Sequence, residues 1–199
     1  MEERILNKAQ DLFFSYGIRS VTMDDIARQM GISKKTIYQF YTDKNSIVEK
    51  VIGNLIEDHG NKVVSYHQEA ENAIHEVALQ MQDMVKLFQQ MNAGVLFEVQ
   101  KYFPKAWQTL NGHKYECVLL GIKNNLKKGI EEGLYRPDLN IKLVAQIRLV
   151  QLSSVLNQQD FPPLDFDYRS VLAQITELYL YGIATTKGHA LIAEYLHNN

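Results

Sequence analysis

One short stretch of the sequence concentrates side chains that can contact an anion or a base edge. It combines short hydroxyls, ammonium groups, a phenol and an amide, and proteins use these groups to bind phosphates and to read base edges. The exposed candidates are Ser33, Lys34, Lys35, Thr36, Tyr38 and Gln39. Two apolar residues, Ile37 and Phe40, interrupt the polar stretch and are expected to anchor it to a core. The outward face therefore suits contact with nucleic acid.

The distribution of charge supports a single anion-facing surface. The chain of 199 residues has a net charge of −2, which excludes a polycation that coats nucleic acid. Residues 26–50 nevertheless hold five basic residues against Asp43 and Glu49, whereas residues 51–199 hold 13 basic and 16 acidic residues. A locally basic segment on an otherwise acidic chain predicts an anionic partner for that segment.

Two short helices and a tight turn must hold this face in place. Thr22 lies three residues before Asp25, and the pair forms a short capping box that opens the first of these helices. Gly31 supplies the positive φ that turns the chain, and Ser33 caps a second helix that continues to about Gln39. This order is typical of a helix-turn-helix.

Three residues occur at the spacing that a helix-turn-helix requires. Ala27 is small because the second helix crosses close over it, Gly31 allows the sharp turn, and Ile37 anchors the second helix in the core. Four further residues are expected in this core: Ile26, Met30, Ile32 and Phe40. The alternative is a surface hairpin whose lysines face only water.

Helical periodicity extends through nearly the whole chain. The predicted helices cover 5–16, 22–30, 33–39, 43 to well beyond 51, a stripe around 77–88, 105–132, 138–159 and 165–186. The first of them ends at Gly17 in a left-handed cap, and the turn DFPPLD separates the last two. Because no segment shows the alternation of a strand, the predicted fold class is all-α.

The segment VTMDDIARQMGISKKTIYQFYTDK resembles the DNA-binding domain of the TetR family of bacterial transcriptional regulators. The resemblance extends from Ile5 to Ile52 and includes the YG after the first helix and the lysine after the next turn. It implies a three-helix DNA-binding domain over residues 1–50, whose third helix enters the major groove. It also implies a larger helical domain over residues 51–199 that binds a ligand and dimerises.

The resemblance and the polar face together assign DNA contacts to nine side chains. These are Thr22, Ser33, Lys34, Lys35, Thr36, Tyr38, Gln39, Tyr41 and Lys44. Thr22, Tyr38 and Lys44 would hold phosphates, and the residues that open the recognition helix would reach bases or adjacent phosphates. Gln39 could bond an adenine edge or a phosphate. Tyr41 could contact DNA or pack beneath the helix.

Aromatic and methionine residues cluster in the middle helices and are first of all candidates for the core. In the TetR family the corresponding helices surround an inducer pocket. The resemblance therefore assigns Phe88, Phe97, Trp107 and Tyr115 to a ligand-binding site. Such a lining suits an apolar or planar ligand.

Residues 53–199 carry no pattern that predicts catalysis. They contain no glycine-rich phosphate loop and no nucleophile motif, and Cys117 is the only cysteine of the chain. The chain is therefore not expected to be an enzyme or to bind a cofactor. His67, Glu71 and His75 would share one face of an uninterrupted helix and could then hold a metal ion. Solvated histidines are the commoner arrangement, so no metal site is predicted.

The helices predicted over 138–159 and 165–186 are apolar on more than one side. A hairpin of two such helices fits a second copy of itself in a symmetric four-helix interface. Ordinary packing within one chain is the alternative. The homodimer is favoured because one recognition helix alone buries too little surface to bind an operator tightly.

These features predict a ligand-responsive transcriptional regulator, more specifically a repressor that a small apolar or planar inducer releases from a pseudo-palindromic DNA operator. Neither a secretory signal nor a membrane span is evident, so a cytoplasmic protein is expected. Two alternatives stay open. The chain could be a helical small-molecule-binding protein or a protein-interaction adaptor, in either case without DNA binding.

Overall fold

The computed structural model describes residues 1–92, 94–155 and 167–197. The helices are α1 Glu2–Tyr16, α2 Met23–Met30, α3 Lys34–Tyr38, α4 Lys44–Glu69, α5 Ala73–Gln90, α6 Val95–Tyr102, α7 Pro104–His113, α8 Leu119–Glu131, α9 Ile141–Val155, α10 Tyr168–Ile183 and α11 Thr186–His197. A π-helical turn, Lys114–Val118, lies between α7 and α8. These described ranges contain no strand, which confirms the prediction of an all-α fold. None of these helices is both long enough and apolar enough to span a bilayer.

Two compact units divide the chain. The head unit comprises Met1–His59 and Phe88–Gly112, and the second unit comprises Gly60–Leu87 and His113–Asn199. The head unit thus contains α6 and α7 in addition to the N-terminal helices. The sequence-based division into residues 1–50 and 51–199 stays a prediction.

The core of the head unit includes apolar residues of α1 to α4. Its fully buried members include Ile5, Phe13, Ile26, Ile37 and Ile47. The prediction that Ile37 and Ile26 belong to this core is therefore confirmed. Met30 and Ile32 are only partly buried.

The expectation that Phe40 anchors the recognition helix is wrong, because its side chain is 41% exposed. Helix α3 ends at Tyr38, and the amides of Phe40 and Tyr41 both donate to the carbonyl of Ile37. The bond from Phe40 spans three residues, which tightens the backbone just after the end of α3. Tyr41, which is 5% exposed, occupies the core position instead.

Glycines end the first two helices in different ways. Gly31 follows α2 with φ 65° and ψ 30°, the left-handed cap that was predicted. Gly17 follows α1 with a positive φ of 83° but a ψ of 153°, so the prediction of a left-handed cap at this residue is wrong. Its amide still donates to the carbonyl of Phe13 at 2.9 Å, and the extended ψ directs the chain away from the helix.

The second unit has its own apolar core, to which α5 and α8 to α11 contribute. Ile74, Leu126, Tyr135, Leu180 and Ile192 are among its most buried residues. The helix predicted over 105–132 is interrupted by the π-helical turn. Helix α9 begins at Ile141 rather than at residue 138 and α10 ends at Ile183 rather than at residue 186, whereas the predicted residues 156–159 and 165–166 lie outside the described residues. The turn DFPPLD lies outside the described residues.

A candidate DNA-binding surface

The start of α2 is held by a complete capping box. The hydroxyl of Thr22 accepts a hydrogen bond from the amide of Asp25 at 3.1 Å and donates to the Asp25 carboxylate at 2.6 Å. The amide of Thr22 donates back to this carboxylate at 3.0 Å. These hydrogen bonds from Thr22 lower the pKa of Asp25. The capping box is as predicted, and the proposed phosphate contact of Thr22 would have to be made by a hydroxyl that already has two partners.

The turn and α3 follow from local sequence. Gly31 adopts its left-handed conformation, and the amide of Ile32 donates to the carbonyl of Ala27 at 3.1 Å. Ser33 caps α3 by accepting from the amide of Thr36 at 3.1 Å. Helix α3 has five residues, and Ile37 is the one that it buries in the core.

The polar side chains of α3 and its caps fall into two groups. The hydroxyls of Ser33 and Thr36 hydrogen-bond to each other at 2.8 Å, and the ammonium of Lys34 donates to Asp24 at 2.9 Å. A second group is exposed and has no side-chain hydrogen bond within the part of the chain that is described: Lys35, Tyr38 and Gln39. These last three side chains are free to contact DNA without breaking an existing bond.

Two other predicted contact residues point inward. Tyr41 is buried, and burial raises the pKa of its phenol, whose hydroxyl has no described partner. Its position favours the alternative in which Tyr41 packs beneath the recognition helix. The ammonium of Lys44 donates to the carbonyls of Ile18 and Val21 at 3.0 and 2.9 Å, and desolvation lowers its pKa. Lys44 thereby joins the start of α4 to the loop between α1 and α2.

We expect Lys44→Met to lower the free energy of unfolding by about 1–2 kcal/mol, because two carbonyls lose a charged donor. Lys50→Met, an exposed position of the same helix, is the matched control and should leave stability nearly unchanged. Chemical denaturation measures the stability of both variants.

If Lys44 also binds a phosphate, its replacement should reduce the salt dependence of DNA binding by about one counterion per head. Equal stability losses at Lys44 and Lys50 would contradict the joining role.

Sequence reasoning missed the residues of α6 that contact this loop. The amide of Arg19 donates to the carboxylate of Glu98 at 3.0 Å, and its guanidinium donates to the hydroxyl of Tyr102 at 3.1 Å. Beside them, a cleft of about 300 Å³ lies between the first turn of α4 and the corner joining α6 to α7. No periodicity signals such contacts, because the partners are about 80 residues apart in the sequence.

The four residues assigned to a ligand site lie in both units. Phe88, Phe97 and Trp107 belong to the head unit and Tyr115 to the second unit. Phe97 is 42% exposed and Tyr115 is 54% exposed, and none of the four lines the cleft beside α4. Their role in ligand binding stays a prediction.

The histidines considered for a metal site do not share a helix. Helix α4 ends at Glu69 and α5 begins at Ala73, so the condition of an uninterrupted helix from His67 to His75 is not met. His67 contacts the buried carboxylate of Glu76 at 3.3 Å, and His75 stacks on the ring of Tyr195. Within the described residues no cluster of potential ligands could hold a metal ion.

Comparison with known proteins places this architecture in one family. Residues 5–51 match the sequence model of bacterial regulatory proteins of the tetR family. The uncharacterized HTH-type transcriptional regulator YvaF of Bacillus subtilis is 30% identical over 148 residues, which cover 72% of this chain and 76% of YvaF. The HTH-type transcriptional repressor KstR2 of Rhodococcus jostii is 25% identical over 157 residues, 70% of each chain.

Solved structures share the fold at lower identity. A candidate transcriptional regulator from Saccharomonospora viridis in complex with choline superposes with a TM-score of 0.77 at 17% identity, covering 92% of this chain and 97% of that one. The regulator FadR of Bacillus subtilis in complex with stearoyl-CoA gives a TM-score of 0.67 at 19% identity, covering 92% and 100%. With a capped helix-turn-helix, an all-helical second unit and a relative at 30% identity, the chain belongs to the TetR family of bacterial transcriptional regulators.

Proposed function

We propose that this TetR-family regulator is a repressor that binds a pseudo-palindromic operator as a homodimer and responds to a small apolar or planar inducer. The observation that carries the DNA-binding part is the capped α2–turn–α3 segment, in which the side chains of Lys35, Tyr38 and Gln39 are exposed and have no hydrogen bond to any described residue. Regulators of this family bind DNA operators and small molecules and act as dimers. Repression is supported by KstR2 of Rhodococcus jostii, a repressor. We further propose a cytoplasmic location and no catalytic activity.

On DNA, the side chains of Lys35, Tyr38 and Gln39 would make different contacts. Lys35 and the phenol of Tyr38 can donate hydrogen bonds to phosphate oxygens. The amide of Gln39 can hydrogen-bond to a base edge. Ser33, Lys34 and Thr36 would contribute after exchanging their present partners. Thr22 and Lys44 precede and follow α3 in the sequence and would contact DNA phosphates after exchanging their present hydrogen-bond partners. Tyr41 would support α3 from below.

Exposed apolar residues on α9 and α10 support a homodimer through these helices. Leu143, Ile147 and Val150 follow one another along one face of α9, and each is at least 49% exposed. Leu178 and Tyr181 are exposed on α10. A contiguous apolar patch of this kind is characteristic of a protein interface, and a two-fold axis would place it against its own copy.

We expect Ile147→Glu to convert the protein into a monomer, because the dimer would bury an unpaired carboxylate at the interface. The monomer fold should survive, since Ile147 is half exposed. Asn124→Glu adds the same charge at an exposed position of α8 and is the control. Sedimentation velocity distinguishes the two species. A dimer that persists in Ile147→Glu at micromolar concentration would place the interface elsewhere.

An inducer would act by changing the distance between the two recognition helices of the dimer. Helix α4 runs without interruption from Lys44 to Glu69 and continues from the head unit into the second unit. A ligand in the larger domain that tilts α4 would therefore displace the head. The ligand can change the DNA affinity only by as much as its own affinities for the two head separations differ. Choline and stearoyl-CoA in the related structures support the binding of small molecules.

The direct test is binding of the purified full chain to the DNA upstream of its own gene, at 50 and 200 mM salt. We expect two chains per site and an affinity that falls roughly a hundredfold between these salt concentrations if four phosphates are contacted. Salt-insensitive association with a protein partner would support an adaptor instead. No DNA binding at either salt, also against randomly fragmented genomic DNA, would contradict the proposed function.

A further inference from the structure

Asp24 and Lys34 connect the two helices of the DNA-binding motif by an ion pair. Asp24 is the second residue of α2, Lys34 is the first residue of α3, and the ammonium donates to the carboxylate at 2.9 Å. The two side chains are 59% and 44% exposed. The pair therefore lies at the surface that faces DNA in the proposed function, and one of its members is a predicted DNA contact.

The carboxylate of Asp24 is not needed to cap α2. The neighbouring Asp25 completes the capping box with Thr22 and also accepts from the guanidinium of Arg28 at 3.1 Å. Among the described residues, Asp24 has Lys34 as its hydrogen-bonding partner. Its remaining structural contribution would be the general attraction between an acidic residue and the start of a helix.

The two adjacent lysines of α3 consequently differ. Lys35 is exposed and has no ion-pair partner among the described residues, whereas the charge of Lys34 is already matched by a carboxylate. A DNA phosphate can bind the ammonium of Lys34 only by displacing the carboxylate of Asp24. The phosphate then lies near the unpaired negative charge of that carboxylate. The contribution of Lys34 to backbone binding is therefore reduced by the presence of Asp24.

We propose that Asp24 competes with DNA phosphates for the ammonium of Lys34 and thereby weakens non-specific DNA binding. This inference rests on the proposed DNA-binding function. An exposed ion pair contributes a factor of about five or less, so DNA phosphates must compete for Lys34 with a carboxylate that is already in place. A Lys34 side chain that stays paired with Asp24 releases no counterion from the DNA.

The test measures binding of the full chain to a 30-base-pair duplex of random sequence over a range of salt concentrations. We expect Asp24→Asn to tighten this binding two- to fivefold and to increase the salt slope by about 0.9 per head, because Lys34 then releases one counterion from a phosphate. Asp11→Asn is the matched control, since Asp11 also pairs with a lysine, Lys8 at 3.6 Å, but lies on α1. It should change neither quantity.

A double-mutant cycle separates competition for Lys34 from simple repulsion between a carboxylate and DNA. In a Lys34→Met background, Asp24→Asn should have no effect on affinity or slope. An equal gain in the Lys34→Met background, or a gain matched by Asp11→Asn, would overturn the proposal. The proposal would also be overturned if Asp24→Asn left the salt slope unchanged and only lowered the melting temperature. If the wild-type chain binds no DNA at any salt concentration, the proposed function fails, and this inference fails with it.

Discussion

Replacing Gly129 by alanine is expected to destabilise the second unit by about 3 kcal/mol, the upper part of the usual range for overpacking. A Cβ at this position would overlap the ring of Tyr135, reaching within 2.7 Å of its Cγ and closer still to Cδ2 and Cε2. The ring has little freedom to move. Tyr135 is 1% exposed, its hydroxyl donates to Asn125, and its amide donates to the carbonyl of Gly129 itself.

Gly121→Ala is the matched control for this effect. Gly121 lies in the same helix, α8, and the nearest atom to its added Cβ would be a methyl carbon of Val63 at 4.0 Å. This substitution should be neutral or should stabilise the protein by up to about 1 kcal/mol, since alanine favours a helix more than glycine does. Chemical denaturation followed by far-ultraviolet circular dichroism compares the two variants. Similar stability of Gly129→Ala and Gly121→Ala would show that the Tyr135 ring can relocate.

Ile37→Ala is expected to lower the free energy of unfolding by about 2–5 kcal/mol, as for other large core truncations. Its effect on DNA binding should exceed that of any single polar contact. Helix α3 has five residues, too few to form a helix by itself, and Ile37 is the side chain that it buries. Without this anchor, all the polar groups of α3 lose their fixed positions together.

The measurement combines urea denaturation with DNA binding at a temperature where circular dichroism shows Ile37→Ala to be folded. We expect an affinity loss of more than tenfold in the folded variant. Ile37→Val, which keeps most of the contact, should cost about 0.5–1.5 kcal/mol and bind DNA nearly normally. Wild-type affinity in a folded Ile37→Ala variant would mean that α3 is held by contacts other than this residue.

The parts of the fold that were predicted correctly depend on residues close together in the sequence. The capping box of Thr22 and Asp25, the left-handed Gly31 and the cap at Ser33 each involve hydrogen bonds across three or four residues. Such interactions follow from local stereochemistry and are visible in the sequence. The burial of Ile37 was predictable for the same reason, since helical periodicity holds up to the end of α3.

The predictions that went wrong lie where regular structure ends. Phe40 was assigned to the core as an apolar residue in a polar stretch, but it follows the end of α3 at Tyr38 and its side chain is exposed. Tyr41 fills the core instead. Sequence reasoning also did not single out Gly129, whose importance comes from the ring of Tyr135, which returns to it after the turn.

Electrostatic partners on the candidate surface were the least predictable feature. The lysines were recognised from their type and position, yet Lys34 is paired with Asp24 and Lys44 with two backbone carbonyls. These pairings require the relative placement of α2, α3 and α4, which no single helix specifies. The sequence therefore predicted which residues could contact DNA, and the structure shows that Lys34 and Lys44 already have hydrogen-bond partners.

The loop between α1 and α2 has a practical consequence for building hybrid regulators. Arg19 in this loop is bonded to Glu98 and Tyr102 of α6, and the amide of Asn92 donates to the carbonyl of Phe14 at 2.6 Å. A hybrid that joined residues 1–50 to a foreign ligand-binding domain would separate these partners. A hybrid that exchanges operator specificity between relatives should therefore also include the residues of 88–112 that contact this loop. The transferred segment then keeps its hydrogen bonds to those residues.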